Sequence, residues 1–150
     1  SFEALCLARK KAKFKNIHFV CADILHLPFK LGAFNGIWNL GVMEHFCEDE
    51  IVAILKEFNH TLEEDGIYML FWPPRYGLTV IVLSAFLFII NKVLKNSLSL
   101  YPAEISTFRS TKWADKLIKQ AGLLNTKVHF GVRDIFTYIV LIGCKERCLK

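Results

Sequence analysis

The sequence lacks three features: a C-x-x-C pair, a glycine cluster of the G-x-G type, and an apolar run of about 20 residues. Its cysteines are odd in number: Cys6, Cys21, Cys47, Cys144 and Cys148. A disulfide framework is therefore not expected, and a reducing, cytoplasmic location fits best. His45 and Cys47 are two potential metal ligands with no partners nearby, so no metal site is predicted.

The run from Leu78 to Ile90 has no charged residue over 13 positions. This is shorter than the roughly 20 residues that a membrane-spanning helix needs. Two interpretations stay open. The run either packs as a buried helix or lid, or it makes peripheral contact with a membrane surface, anchored by Lys92 and Lys95.

The composition is that of one folded domain, because 53% of the 150 residues are hydrophobic and 22% are charged. The net charge is +5 and the pI is about 9.0. Much of the excess lies in one run between Arg9 and Lys15. That run predicts a solvated helix face, with a weak patch for anionic surfaces as the alternative.

Hydrophobic periodicity and turn residues divide the chain into alternating helices and strands. Helices are predicted over 2–14, from the acids at 48–50 to a stop at Gly66, and from a cap at Ser110 to Gly122; strands are predicted at 17–22, 36–40, 67–72, 127–130 and 136–142. The alternation predicts an α/β fold with a doubly wound, mainly parallel sheet. The last two strands are joined by a short turn, so one antiparallel strand is expected near the edge.

Ligands of such sheets bind beyond the carboxyl ends of the strands. That rule selects the stretches "ADILHLPF", "NLGVMEHF" and "WPPRYG". Together they resemble the class I S-adenosylmethionine-dependent methyltransferases, in the branch that modifies small molecules, quinones and lipids. The matching motifs are Asp23 with Leu27-Pro28-Phe29, then Phe34 to Ile37, Met43-Glu44-His45, and Leu62 to Gly66.

The resemblance implies a Rossmann-like fold, S-adenosylmethionine as cofactor, and a role for several residues. Asp23 and Ile24 are expected to contact the adenine, with a self-capping turn as the alternative for Asp23. Asn39, Leu40 and Gly41 are expected to lie beside the methionine part. Glycine at 41 would permit a close backbone approach, although simple turn geometry would also explain it.

Glu44 and His45 are the candidate catalytic pair. A histidine side chain titrates near neutral pH and serves as a general base, and Glu44 would orient it. The alternative is that Glu44 complements a helix dipole and His45 packs locally. Some relatives bind a metal through E-x-x-E-H, but Gly41 stands where the first glutamate would be, so no metal is expected.

Trp72 and Tyr76 are the candidate substrate residues, with ordinary core and turn positions as the alternative. A pocket built from them would favour an apolar or lipid-like small molecule. No nucleic-acid partner is expected, because Glu48, Asp49 and Glu50 lie beside the ligand edge.

The family's glycine-rich loop and its first strands have no counterpart in this sequence. The chain therefore resembles the C-terminal two-thirds of a single methyltransferase domain, 1–150, with an apolar insertion near 76–105. The expected function is methyl transfer to a small acceptor as part of a longer chain, with the isolated chain binding the cofactor weakly or not at all. The alternative is a non-catalytic module with a degenerate methyltransferase fold, which binds a partner or a membrane surface.

Overall fold

The computed structural model describes residues 1–13, 16–74, 105–131 and 137–146. Its elements, in chain order, are α1 (Phe2–Lys11), β1 (Phe34–Leu40), a 3-10 turn (Met43–His45), α2 (Glu48–Thr61), β2 (Leu62–Trp72), α3 (Thr111–Gln120), β3 (Leu123–His129) and β4 (Ile139–Lys145). Tyr76, the run from 78 to 90 and Cys148 lie outside the described residues.

The described strands form one sheet in the order β1-β2-β4-β3. β1 runs parallel to β2, whereas β4 is antiparallel to both β2 and β3. This α/β fold with a mixed sheet confirms the predicted fold class. The antiparallel strand β4 lies one position from the edge, as the short final connection required.

α2 and α3 cover one face of the sheet. Apolar residues recur along α2 at helical spacing, and Ile51, Ile54, Leu55 and Phe58 are all buried. α3 begins where the Ser110 hydroxyl accepts the Trp113 N–H at 3.2 Å, and it ends at Gly122, whose φ is 73°. Burial of each of the α2 side chains Ile51, Ile54 and Leu55 contributes roughly 1.5–3 kcal/mol.

Tyr68 lies in the centre of the sheet and fixes the pairing of β3 with β4. Its hydroxyl donates to the Leu124 carbonyl at 3.0 Å. A Cβ at Gly143 would collide with that carbonyl and with the Tyr68 ring, so only glycine fits there. Burial of the phenol raises the pKa of Tyr68 well above its usual value.

The predicted strand at 17–22 and the predicted helix stop at Gly66 are wrong. The predicted strand at 17–22 has no strand pairing, and Ile17 and Val20 are 45% and 48% exposed. A strand needs a hydrogen-bonded neighbour, and the described residues offer it none. The predicted helix stop at Gly66 is also wrong, because α2 ends at Thr61 and the chain enters β2 at the fully buried Leu62.

β1 is an edge strand among the described residues. Its Trp38 and Leu40 side chains are 71% and 49% exposed, on the face of the sheet opposite to α2 and α3. Ile67 at the start of the regular β1–β2 pairing is 57% exposed. The sheet thus has one face covered by helices and one largely open apolar face at this end.

Candidate functional site

The site lies at the sheet edge where the parallel strands β1 and β2 end. The register places Leu40 opposite Phe71, and Phe71 opposite Val140 of the antiparallel strand β4. Tyr138, just before β4, therefore arrives at the same edge as the carboxyl ends of β1 and β2. The Gly41 N–H donates to the Phe71 carbonyl at 3.4 Å and continues the ladder one residue beyond β1.

Gly41 opens a space at this edge. Its φ is +65°, a conformation that residues with a side chain rarely adopt. A Cβ at this position would lie 3.5 Å from Glu44 Oε1 and 4.0 Å from the Tyr138 hydroxyl. Without that carbon, the two side-chain oxygens border a small volume over the Gly41 backbone.

Glu44 lies in the 3-10 turn and is only 6% exposed. Its backbone carbonyl accepts the N–H groups of Ile105 at 2.7 Å and Ser106 at 2.9 Å. These bonds tie the turn to the segment that leads into α3. The Glu44 carboxylate is therefore carried on fixed backbone.

His45 is next to Glu44 but is not hydrogen-bonded to it. The His45 Nε2 to Glu44 Oε1 distance is 4.0 Å, and the imidazole is 34% exposed. Its Nδ1 is buried, with no hydrogen-bond partner among the described residues. The partly exposed imidazole therefore lies beside the Glu44 carboxylate at this edge.

Asn39 and Leu40 end β1 with opposite orientations. Asn39 is 7% exposed, and its Oδ1 has no hydrogen-bond partner in the described part of the chain. A buried amide oxygen in this state is available to a donor from a ligand. Leu40 is half exposed beside Gly41 and presents apolar surface at the same edge.

Asp23 and Ile24 lie in a turn closed by Asp23 itself. Asp23 Oδ1 accepts the Leu25 N–H at 3.0 Å, and the Asp23 carbonyl accepts the His26 N–H at 3.1 Å. This is the self-capping role that was the alternative for Asp23. The Asp23 side chain remains 62% exposed, while Ile24 packs against the core.

Trp72 is fully buried at the end of β2. Its Nε1 donates to the Ser106 carbonyl at 2.8 Å, and its ring packs against Phe108 and Trp113. The structure therefore supports the alternative interpretation, a core position, for this residue. Tyr76, its predicted companion, lies outside the described residues.

Tyr138 is the residue at this edge that sequence reasoning missed. It lies within the predicted strand 136–142, and no local pattern marks it as a site residue. Its place follows from the β2–β4 register, which brings the amino end of β4 to the carboxyl ends of β1 and β2. The antiparallel pairing itself was the only signal in the sequence that could have indicated it.

The acids beside the edge have structural partners. Glu48 Oε1 accepts from Arg109 Nη1 at 2.8 Å and from Trp113 Nε1 at 3.0 Å. Glu50 Oε2 accepts the Cys47 N–H at 2.9 Å, and this bond lowers the pKa of Glu50. Within the described ranges, no group of three or more His, Cys, Asp or Glu could hold a metal ion, and no helix is long and apolar enough to cross a membrane.

One family model and several solved structures match this chain. Residues 1–66 match the family described as a methyltransferase domain. The chain has the class I methyltransferase fold. A solved protein from Pyrococcus horikoshii OT3 aligns with 97% of this chain at 16% identity and a TM-score of 0.64, over 68% of its own length. No curated protein matches the chain significantly.

Two solved methyltransferases also align over nearly all of the chain. A SAM-dependent methyltransferase from Methanosarcina mazei is 15% identical with a TM-score of 0.67, over 97% of this chain and 78% of its own length. Human N-acetylserotonin methyltransferase, solved in complex with SAM, is 16% identical with a TM-score of 0.64, over 95% of this chain and 38% of its own length. The predicted fold is confirmed, and the family match over residues 1–66 and the SAM-bound human structure are consistent with S-adenosylmethionine as the cofactor.

The residues at the edge of this methyltransferase fold suit that cofactor. S-adenosylmethionine carries a sulfonium, an ammonium and a carboxylate, so its site needs both acceptors and donors. The buried Asn39 Oδ1 and the buried Glu44 carboxylate are hydrogen-bond acceptors at this edge, near the space over Gly41. Here the methyltransferase fold and the local geometry agree.

Proposed function

We propose that this chain takes part in S-adenosylmethionine-dependent methyl transfer to a small, apolar or lipid-like acceptor. The proposal is carried by the space over Gly41, bordered by the Glu44 carboxylate at the carboxyl end of parallel strands. The chain spans only 38% to 78% of the three solved proteins named above. We therefore propose that 1–150 is the C-terminal two-thirds of a single domain in a longer protein, with an apolar insertion near 76–105.

For the cofactor, we assign the methionine part to Asn39, Leu40 and Gly41. Their backbone ends β1, and glycine at 41 admits a ligand close to it. We assign the adenine to Asp23 and Ile24. Asp23 uses Oδ1 within its own turn, but a carboxylate has lone pairs for further donors, and this one is exposed to solvent.

For the chemistry, we propose that alignment of acceptor and methyl group supplies most of the acceleration. His45 then removes the proton from a hydroxyl or amine nucleophile, and Glu44 stabilises the imidazolium that results. When bound, S-adenosylmethionine would supply the methyl group to the nucleophile's lone pair, with S-adenosylhomocysteine as the leaving group. The proton taken from the nucleophile would stay on His45.

The apolar nature of the acceptor is proposed from the side chains around the edge. Leu40 is half exposed beside Gly41, and Phe71 lies opposite it in the register. Trp72 supports this surface from the core side, and Tyr76 is its proposed companion.

The four cysteines in the described ranges are free, which suits a cytoplasmic location.

Calorimetric titration with S-adenosylhomocysteine (SAH) tests the proposal. We expect the natural protein to bind SAH and residues 1–150 alone to bind it weakly or not at all. In the natural protein, Gly41→Ala should weaken binding, since the new Cβ enters the space beside Glu44 and a φ of +65° strains alanine by about 1 kcal/mol.

Gly36→Ala in the same strand is the matched control. A Cβ at Gly36 would lie 3.7 Å from the Ile67 carbonyl, and Gly36 lacks the positive φ of Gly41, so SAH affinity should not change. Equal effects of the two substitutions would contradict the proposed site. A natural protein that releases no heat with SAH would contradict the function.

The open apolar face favours a second candidate function, a non-catalytic interaction module. Trp38 and Ile67 expose most of their apolar surface, and such patches often mark binding surfaces. The same titration separates the two functions, because an interaction module with a degenerate site would not bind SAH. Retained partner binding by a protein that does not bind SAH would support it.

A further inference from the structure

We propose that Glu48 is a positioning residue that acts through Arg109. Arg109 is the last residue of a short lead-in segment, 105–109, which precedes the cap of α3. Glu48 fixes this segment, and the segment fixes the 3-10 turn that carries Glu44 and His45. The inference rests on the proposed function, because that function assigns roles to the residues of the turn. Glu48 itself lies outside the proposed contacts with cofactor and acceptor.

The lead-in segment is bonded to the chain beyond β1 and to the end of β2. Beyond β1, the Glu44 carbonyl accepts the N–H groups of Ile105 at 2.7 Å and Ser106 at 2.9 Å. At the end of β2, the Trp72 indole N–H donates to the Ser106 carbonyl at 2.8 Å. Because Ser106 bonds in both directions, a displacement of the segment also displaces the turn.

The segment is buried in its middle and held from the surface at its end. Ser106 and Phe108 are buried, and the Phe108 N–H donates to the Pro73 carbonyl at 3.1 Å. The side chains of Arg109 and Glu48 are about half exposed. The ion pair between them is therefore the part of this arrangement that a charge substitution can change without opening the core.

Glu48, Arg109 and Trp113 form a closed cluster at that end. Glu48 Oε1 accepts from Arg109 Nη1 at 2.8 Å and from Trp113 Nε1 at 3.0 Å. The Arg109 guanidinium carbon lies 5.3 Å from the centroid of the Trp113 ring, in reach of a cation–π interaction. Glu48 begins α2 and Trp113 belongs to α3, so one carboxylate oxygen links both helices and the lead-in segment.

Loss of this cluster should lower ligand affinity more than it lowers stability. Neither Glu48 nor Arg109 belongs to the hydrophobic core that α2 and α3 share. Without their ion pair, the lead-in segment and the turn gain freedom that a ligand must remove when it binds. A residue that only stabilised the fold would instead lower the unfolding midpoint and leave the affinity of the folded protein unchanged.

Charge reversal at the first two residues of α2 tests the inference in the natural protein. Glu48→Lys removes the acceptor of Arg109 and Trp113 and places a like charge beside Arg109. SAH affinity, titrated well below the unfolding midpoint, should fall about three- to tenfold. Asp49→Lys is the matched control. It changes the charge of the same helical turn equally, but Asp49 makes no hydrogen bond or ion pair in the described part of the chain, so SAH affinity should not change.

Restoring the opposite charges should recover part of the affinity. In this variant Glu48→Lys is combined with Arg109→Glu, which exchanges the two signs. If Glu48→Lys keeps the natural SAH affinity, loses no more than Asp49→Lys does, or gains nothing from Arg109→Glu, the inference is wrong.

Hydrogen exchange separates this inference from the proposed function, because it needs no ligand. The amide protons of Ile105 and Ser106 should exchange faster in Glu48→Lys than in the natural protein or in Asp49→Lys. Mass spectrometry of the peptide that contains them measures the rates. Equal rates in all three proteins would contradict the positioning role. If the natural protein binds no SAH, the proposed function fails, and faster exchange still shows that Glu48 fixes the segment.

Discussion

α1 and α3 are two helices of the same length that differ in how much they bury. Each has 10 residues, and each begins with a serine whose hydroxyl accepts an N–H three residues later at 3.2 Å. α3 buries Ala114, Leu117 and Ile118, whereas α1 buries none of its residues. A cap and a helical sequence thus suffice to define a helix, but only α3 is stabilised by a core.

The largest effect should come from truncating one leucine in each helix. Leu117 is 2% exposed and Leu7 is 55% exposed. Leu117→Ala should lower the free energy of unfolding by about 2–5 kcal/mol through lost burial and a cavity, whereas Leu7→Ala should change it by less than about 0.5 kcal/mol. Urea unfolding of both variants measures the difference. Equal losses would mean that α1 is also part of a core.

Removal of the two serine caps should produce a smaller difference in stability, again with the larger loss for α3. Ser110→Ala should cost about 0.5–2 kcal/mol of global stability, because α3 cannot fray without exposing the residues it buries. Ser1→Ala should reduce only the helix content of α1 and leave the unfolding midpoint in place. Unfolding followed by circular dichroism records both quantities. A shift of the midpoint for Ser1→Ala would remove the contrast between the helices.

A smaller loss of stability is expected from a change in the sheet that α3 covers. Tyr68→Phe should cost about 0.5–1.5 kcal/mol at neutral pH, because the Leu124 carbonyl loses its donor. The pKa of Tyr68 is raised on folding, so its neutral form is favoured in the native state. This contribution is complete below the unfolded pKa near 10 and falls as pH rises above it.

Stability curves at pH 8 to 11 check the sign. The natural protein should lose stability above about pH 10, and Tyr68→Phe should lose less over the same interval. Parallel curves for the two proteins would show that the Tyr68 phenol does not couple folding to pH.

The sequence predicted well those elements whose signals are local. Ser110 and Gly122 bound α3 as expected, and the short final connection correctly implied antiparallel strands. The segment 17–22 has strand-like composition, but a strand is defined by its neighbour, which composition does not contain. Gly66 resembled a helix stop, yet burial of Leu62 and its pairing with Phe34 draw the chain into β2 four residues earlier.

The site was predictable only in part, for the same reason. Asn39, Gly41 and Glu44 follow one strand, so a rule about strand ends located them together. Tyr138 joins them through sheet register, a relation across nearly a hundred residues of sequence that no short motif encodes. Trp72 looked like an edge residue by position, but its indole N–H bond to Ser106 and its aromatic neighbours hold it inside.

The uneven covering of the sheet gives the protein a built-in optical reporter. Trp38 is 71% exposed on the open face, whereas Trp72 is fully enclosed. Water around an indole shifts its fluorescence to longer wavelength and admits soluble quenchers such as acrylamide. Trp38 emission should therefore be red-shifted and readily quenched. Any chain or ligand that covers this face should shift Trp38 emission to shorter wavelength and protect it from the quencher, while Trp72 emission stays constant.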